Sequence, residues 1–159
     1  MNRRPYFYGA YGSNLNRRHM AQRCPDATPF GSIEVPDMKL VFRDVADIEP
    51  AKGFTVPLGL WRISKQDEEK LDRYEGYPHL YGKQMLDLPR VGEVLVYTMG
   101  EGSRVRENTL RISPPNLGYF DSIAEGFEDF DLDTTPLIDA LDEAYLNETV
   151  QRNHLAVVK

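Results

Sequence analysis

Tyr6-Phe7-Tyr8-Gly9-Ala10-Tyr11-Gly12-Ser13-Asn14-Leu15 is the stretch on which the reading of this chain turns. Its first half is aromatic and apolar, which suits a strand over Tyr6–Ala10. Its second half bends through Gly12-Ser13-Asn14, residues that tolerate φ > 0 or a close backbone approach. A short polar helix or turn over Leu15–Gln22 follows, and Pro25 ends it. Successive backbone N–H groups at such a corner form a nest that holds a carboxylate or an oxyanion. The same residues also make an ordinary strand-to-helix turn with an asparagine cap, and local chemistry does not separate the two.

Working outward, candidate strands come at Gly31–Val35, Lys39–Phe42 and Val45–Ile48, then at Thr55–Ile63 with Pro57 and Gly59 weakening or bulging it. Ser64 reads as an N-cap, with Asp67 three residues on as a shortened capping box. The helix behind it runs from Lys65 to about Glu75, and Gly76 is its C′ stop. Two more strands, Tyr81–Leu88 and Glu93–Met99, are separated by Pro89 and Gly92. After Gly100 a polar connection (Glu101–Ser113) leads to Pro114-Pro115 and two helices. The first covers about Asn116–Phe127. The second is started by Thr135 with Pro136 at its first position, and carries Leu137, Ile138, Leu141, Ala144 and Tyr145 on one face. There is no repeat or long linker. The pattern predicts one α+β domain over 1–159, β-rich over 1–100 and helical over 114–150, built on a small sheet or barrel.

At 159 residues, 41% hydrophobic and 28% charged, the chain can bury a core without staples. No apolar run approaches the ~20 residues of a membrane helix. The basic start, Met1-Asn2-Arg3-Arg4-Pro5, meets aromatic strand rather than an apolar signal core, so a cytoplasmic protein is expected. The one cysteine, Cys24, suits a reducing compartment and reads as packing rather than nucleophile. Net charge is −6, yet residues 121–148 hold ten Asp/Glu and no Lys or Arg, so the rest of the chain is net positive. Arg3/Arg4 and Arg17/Arg18 make no basic stripe, which argues against nucleic acid. His19, His79 and His154 fit no metal spacing, and no phosphate loop is present. Gly-x-Ser-x-Gly is absent, so Ser13 is not read as a nucleophile. Metal, cofactor and membrane are not expected; a monomer or homodimer acting on a small molecule is.

The second informative segment is Leu71-Asp72-Arg73-Tyr74-Glu75-Gly76. A carboxylate in the last turn of a helix faces the negative end of the dipole, which raises its pKa, and burial raises it further. A carboxylate acting as both base and acid near neutral pH needs that shift. Without burial, Glu75 is a surface glutamate like Glu68 and Glu69. Tyr81 and Tyr119 are core aromatics with satisfied hydroxyls or donors in a pocket. A corner of N–H groups plus one isolated carboxylate suffices for acid/base catalysis on a substrate that brings its own nucleophile.

In order and spacing these pieces resemble the γ-glutamylcyclotransferase family, also described as AIG2-like, across most of the chain. Residues 6–15 resemble its opening strand and substrate loop. Phe30-Gly31, Leu40-x-Phe42 and Ala46-x-Ile48-x-Pro50 are similar to its middle. Leu58-Gly59-Leu60-Trp61-x-Ile63-Ser64 with Leu71-Asp72-x-x-Glu75-Gly76 and Tyr81 resembles its catalytic segment, and Pro115-x-x-x-Tyr119-x-x-x-Ile123-x-x-Gly126 its C-terminal helix. The sequence departs from the family at Pro57, at Pro114 and in its acidic tail. The resemblance implies a small mixed β-barrel with flanking helices, without metal or cofactor. It implies Glu75 as acid/base, Tyr11, Gly12, Ser13 and Asn14 on the glutamyl group, and Tyr81 and Tyr119 lining the pocket. The implied reaction converts a γ-glutamyl amide to 5-oxoproline and a free amine. A non-catalytic ligand-binding or interaction module keeping the same barrel is the alternative. Relatives acting on an isopeptide-linked lysine or on a protected biosynthetic intermediate differ only in acceptor, which the sequence does not separate.

Overall fold

Strand β1 (Phe7–Ala10) is short, fully buried and central. It pairs antiparallel with β3 (Val45–Arg62) on one side and parallel with β5 (Gly92–Thr98) on the other. Outside these lie β2 (Thr28–Arg43) against β3 and β4 (Gly82–Leu88) against β5, giving the order β2-β3-β1-β5-β4. This is a computed structural model, and it describes residues 6–100, 103–105 and 110–158. The basic start Met1–Pro5 and part of the 101–113 connection lie outside the described residues.

The strands expected separately between 31 and 63 are one long hairpin, with a tight turn at Asp44 (φ 65°). Pro36-Asp37 does not end a strand: the ladder slips between Pro36 and Met38, and Asp37 takes φ 58°. A second slip falls between Pro29 and Gly31, not at Pro57 or Gly59, which stay in register opposite Glu34 and Ser32. Pro57 is tolerated because β1 reaches only Gly59–Arg62, leaving no second ladder to break at position 57.

The α+β class holds, but the sheet is not a closed barrel, since β2 and β4 are edges. Side chains tie β3 to the end of β5 and to β2. Asp47, 1% exposed near the start of β3, accepts the Met99 N–H just past β5 (3.0 Å). Arg43 Nε donates to the same carboxylate (3.0 Å) and Arg43 Nη2 to Glu49 (2.7 Å). Burial pushes the Asp47 carboxyl up, while these donors hold it down.

Helix α1 (Arg17–Arg23) begins later than expected, because Asn16 caps it by accepting the His19 N–H (3.1 Å) and a 3-10 turn occupies Ser13–Leu15. Helix α2 (Lys65–Tyr74) has both bonds of the Ser64/Asp67 capping box. Asn116 caps α3 (Leu117–Asp129), and Asp133 accepts the N–H and hydroxyl of Thr135, the first residue of α4 (Thr135–Val158). The buried face of α4 is Leu137, Ala140 and Ala144, at helical spacing toward β2; Ile138 and Tyr145 lie outside it and are exposed. The acidic run meets its own cations: Glu125 pairs with Arg18 (2.7 Å), Glu143 with Lys39 (2.8 Å), and Asp129 accepts the Arg17 N–H (2.9 Å). Cys24 is buried, and burial pushes its thiol up to about 11.

Candidate active site

Beyond the C-terminal ends of the parallel strands β1 and β5 lies a cavity of about 200 Å³. Tyr8 of β1, the corner Tyr11–Asn14, Val45-Ala46 of β3, Tyr74-Glu75 at the end of α2, Leu80-Tyr81, Tyr97 of β5 and Tyr119 of α3 line it. All seven residues singled out from the sequence, Glu75, Tyr11, Gly12, Ser13, Asn14, Tyr81 and Tyr119, meet here.

The C-terminus of α2 sets the position of Glu75. Gly76 takes φ 63°, its N–H bonds to Arg73 O (3.3 Å) and the Tyr77 N–H to Asp72 O (2.9 Å), a Schellman stop that presents Glu75 as the capping residue. The residue is of intermediate exposure and lines the cavity. Burial pushes the carboxyl up from 4.5 to about 7, with the Arg23 charge pulling the other way. Its Oε1 accepts from Asn14 Nδ2 (3.1 Å), and among the described residues no protein donor meets the second oxygen.

Asn14 is held at several points. Arg23 Nη1 donates to its Oδ1 (2.5 Å), which leaves Nδ2 to donate to Glu75 and to the Tyr8 hydroxyl (3.1 Å). Trp61 Nε1 donates to its backbone carbonyl (2.9 Å). No side chain caps the 3-10 turn, so the leading N–H groups at Ser13 and Asn14 have no intrahelical acceptor. Ser13 Oγ shares a hydrogen bond with the Tyr74 hydroxyl (3.1 Å). Of the two readings of the corner, φ > 0 and a close approach, Gly12 follows the second. Its φ is −121°, and the constraint is space: a Cβ there would stand 3.2 Å from the Ala46 Cβ and 3.6 Å from the Tyr119 hydroxyl.

The phenols are mostly committed to the protein. Tyr81 donates to Ala46 O (2.5 Å), Tyr119 accepts the Ala46 N–H (2.9 Å), and Tyr11 donates to Tyr97 O (2.6 Å). Burial raises the pKa of Tyr8, Tyr11, Tyr81 and Tyr119, so all four stay neutral. Tyr81 and Tyr119 thus clamp the Ala46 peptide from both sides and shape the wall. Sequence reasoning missed Arg23, Tyr8, Tyr74 and Tyr97. Tyr8 and Tyr74 adjoin residues already chosen, but no local pattern ties Arg23 to Asn14. No His/Cys/Asp/Glu group among the described residues gathers as a metal site, and no helix among them is long and apolar enough to cross a membrane.

Residues 8–117 match the family described as gamma-glutamyl cyclotransferase, AIG2-like. No curated protein is significantly similar in sequence to the chain. Among solved structures, the fold is similar to an uncharacterized protein from Homo sapiens (TM-score 0.64, 22% identity, 82% of each chain covered). It is also similar to one named gamma-glutamyl cyclotransferase, without a stated organism (TM-score 0.63, 22% identity, 80% of each chain). An AIG2-like protein from Mus musculus aligns over 69% of this chain and 85% of its own (TM-score 0.54, 19% identity). The chain belongs to the AIG2-like gamma-glutamyl cyclotransferase family.

Proposed function

We propose that this member of the AIG2-like gamma-glutamyl cyclotransferase family cyclises a γ-glutamyl amide, releasing 5-oxoproline and an amine. The observation that carries the reading is Glu75: one carboxyl, pushed up to about 7, the one acid among the described residues that line the cavity.

The α-ammonium of the substrate sits at the free oxygen of Glu75, which takes one proton. The exposed amine attacks its own γ-carbonyl carbon and closes a five-membered ring. The N–H groups of the Tyr11–Asn14 corner hold the oxyanion or the substrate α-carboxylate. Glu75 returns the proton to the leaving nitrogen as the C–N bond breaks. The second proton on the ring nitrogen follows by the same carboxylate, so the amine departs as its ammonium. Holding the glutamyl chain curled contributes much of the rate, because oriented intramolecular attack reaches effective molarities of ~10⁵ M or more. The relay from Arg23 through Asn14 to Glu75 fixes the base in one orientation.

The test is a panel of γ-glutamyl amides assayed for 5-oxoproline with the purified chain. At least one is expected to turn over. Saturable binding without 5-oxoproline from any of them would point to a ligand-binding module instead.

A further inference from the structure

The phenols that line the cavity do not all spend their hydroxyl protons on the protein. Tyr11 donates to Tyr97 O (2.6 Å), Tyr81 to Ala46 O (2.5 Å) and Tyr97 to Asp72 Oδ1 (2.6 Å). Tyr74 shares a single bond with Ser13. Tyr8 and Tyr119 accept instead, from Asn14 Nδ2 (3.1 Å) and from the Ala46 N–H (2.9 Å). Among the described residues no protein acceptor meets the proton of either. A buried hydroxyl proton without an acceptor is costly, so each is left for whatever occupies the cavity.

Of the two, Tyr8 stands beside the base. It is 3% exposed, and the nitrogen that donates to it also donates to Glu75 Oε1 (3.1 Å). Phenol and carboxylate are thus neighbours across one amide group. Asn14 itself has nothing left for a ligand, since its Oδ1 accepts from Arg23 and both Nδ2 protons are spent. Its bond fixes the Tyr8 oxygen from one side and sends the phenolic proton to the other. The Tyr97 ring meets the Tyr8 ring edge-on (centroids 5.8 Å) and holds it there. Burial, and after it the Glu75 charge, keeps the phenol neutral and therefore a donor.

A γ-glutamyl amide presents few acceptors to such a donor. Its α-ammonium has no lone pair, and its amide nitrogen is a poor acceptor. The γ-carbonyl oxygen is one bond from the carbon that both reacting nitrogens share, and it gains a full charge as the ring closes.

We propose that Tyr8 is a further catalytic residue, whose hydroxyl donates to the γ-carbonyl oxygen and holds the oxyanion formed there. This rests on the cyclisation reading above. As the amine nitrogen bonds to the γ-carbon, the carbonyl π pair moves onto the oxygen beside the Tyr8 O–H. When that pair returns, the bond to the leaving nitrogen breaks and Glu75 supplies the proton. Tyr8 keeps its own proton throughout. The contact strengthens as charge develops, so it lowers the barrier more than it aids binding.

The test is single-turnover and steady-state kinetics of the wild type, Tyr8→Phe and Tyr119→Phe. The substrate is whichever of γ-glutamyl-methylamide, γ-glutamylglycine and Nε-γ-glutamyl-lysine the wild type turns over fastest. Expected for Tyr8→Phe is a fall in kcat of roughly 10²-fold or more, with KM and the Kd of 5-oxoproline each within about threefold. The limb of kcat/KM that reports Glu75 should stay within about half a pH unit. That separates a donor to the oxyanion from a mere prop for Asn14, whose loss would release Glu75 and move the limb. A kcat within about threefold of the wild type overturns the proposal and leaves cyclisation standing. So does a loss confined to KM, a limb displaced along with kcat, or a fall in Tyr119→Phe that spares Tyr8→Phe. Absence of 5-oxoproline from all three compounds with the wild type overturns both.

Discussion

At Glu75 folding and chemistry pull in opposite directions. Burial lifts its carboxyl from 4.5 to about 7, so the native chain holds this proton more tightly than the unfolded chain does. Its contribution is fully favourable below about pH 4.5 and is lost as pH rises through 7. Glu75→Gln has no charge to desolvate. It should match the wild type near pH 4 and exceed it in stability at pH 8 by up to about 3 kcal/mol. Urea midpoints of the two proteins across that range check this, and a constant difference between them would mean that the carboxyl titrates as in water. The sequence made Glu75 legible through its place, a carboxylate before a glycine stop. It did not reveal Arg23, because the bond from Arg23 to Asn14 joins a helix to a turn whose relative placement depends on α1 packing. Of the two readings of Gly12, φ > 0 and close approach, the structure has the second: its φ is −121°, and a neighbouring methyl and phenol set the limit.

Among the elements, α3 backs the Tyr11–Asn14 corner more closely than any pattern in the corner suggests. At Gly126 a Cβ would stand 2.5 Å from the Leu15 Cβ, 2.7 Å from the Asn16 nitrogen and 2.8 Å from the Leu15 carbonyl carbon. Two of these are backbone atoms that cannot rotate away. Asn16 Nδ2 adds a bond to Ser122 O (3.0 Å), so helix and corner move together. Gly126→Ala should therefore cost roughly 1–3 kcal/mol of stability as an overpacked contact. It should also lower kcat/KM at least tenfold, because Asn14 shifts with Leu15 and its hold on Glu75 loosens. Melting temperature and kinetics measured together test this; a variant with unchanged values of both would mean that α3 is not braced against the corner. The helices α2 and α4 were readable from local signals at their ends, Ser64 and Gly76 for α2 and Thr135-Pro136 for α4, and α3 from its place after Pro114-Pro115. The unbroken β2–β3 hairpin was not. Pro36-Asp37 carries the signature of a turn, and only the facing strand shows that the kink is absorbed as a slip in register.

For the whole molecule, the α+β class followed from the alternation of short strands with capped helices, whereas closure did not. The barrel implied by resemblance is an open sheet in which the Asp47 carboxylate ties β3 to the residue after β5 and the Tyr81 hydroxyl bonds to Ala46 of β3, and no residue pattern distinguishes that from a ladder. The difference matters to the site, because the Ala46-Asp47 peptide region that makes these bonds also forms one wall of the cavity. The fold thus brings a strand-end corner, a helix stop and a hairpin root together around one carboxyl. Central to the proposed cyclisation is that Glu75 carries the proton transfer. The direct measurement is single-turnover formation of 5-oxoproline from a γ-glutamyl amide by the wild type and by Glu75→Gln. A fall of roughly 10²–10⁴-fold with the substrate still bound is the predicted result. A Glu75→Gln protein that forms 5-oxoproline within a few-fold of the wild-type rate would contradict it.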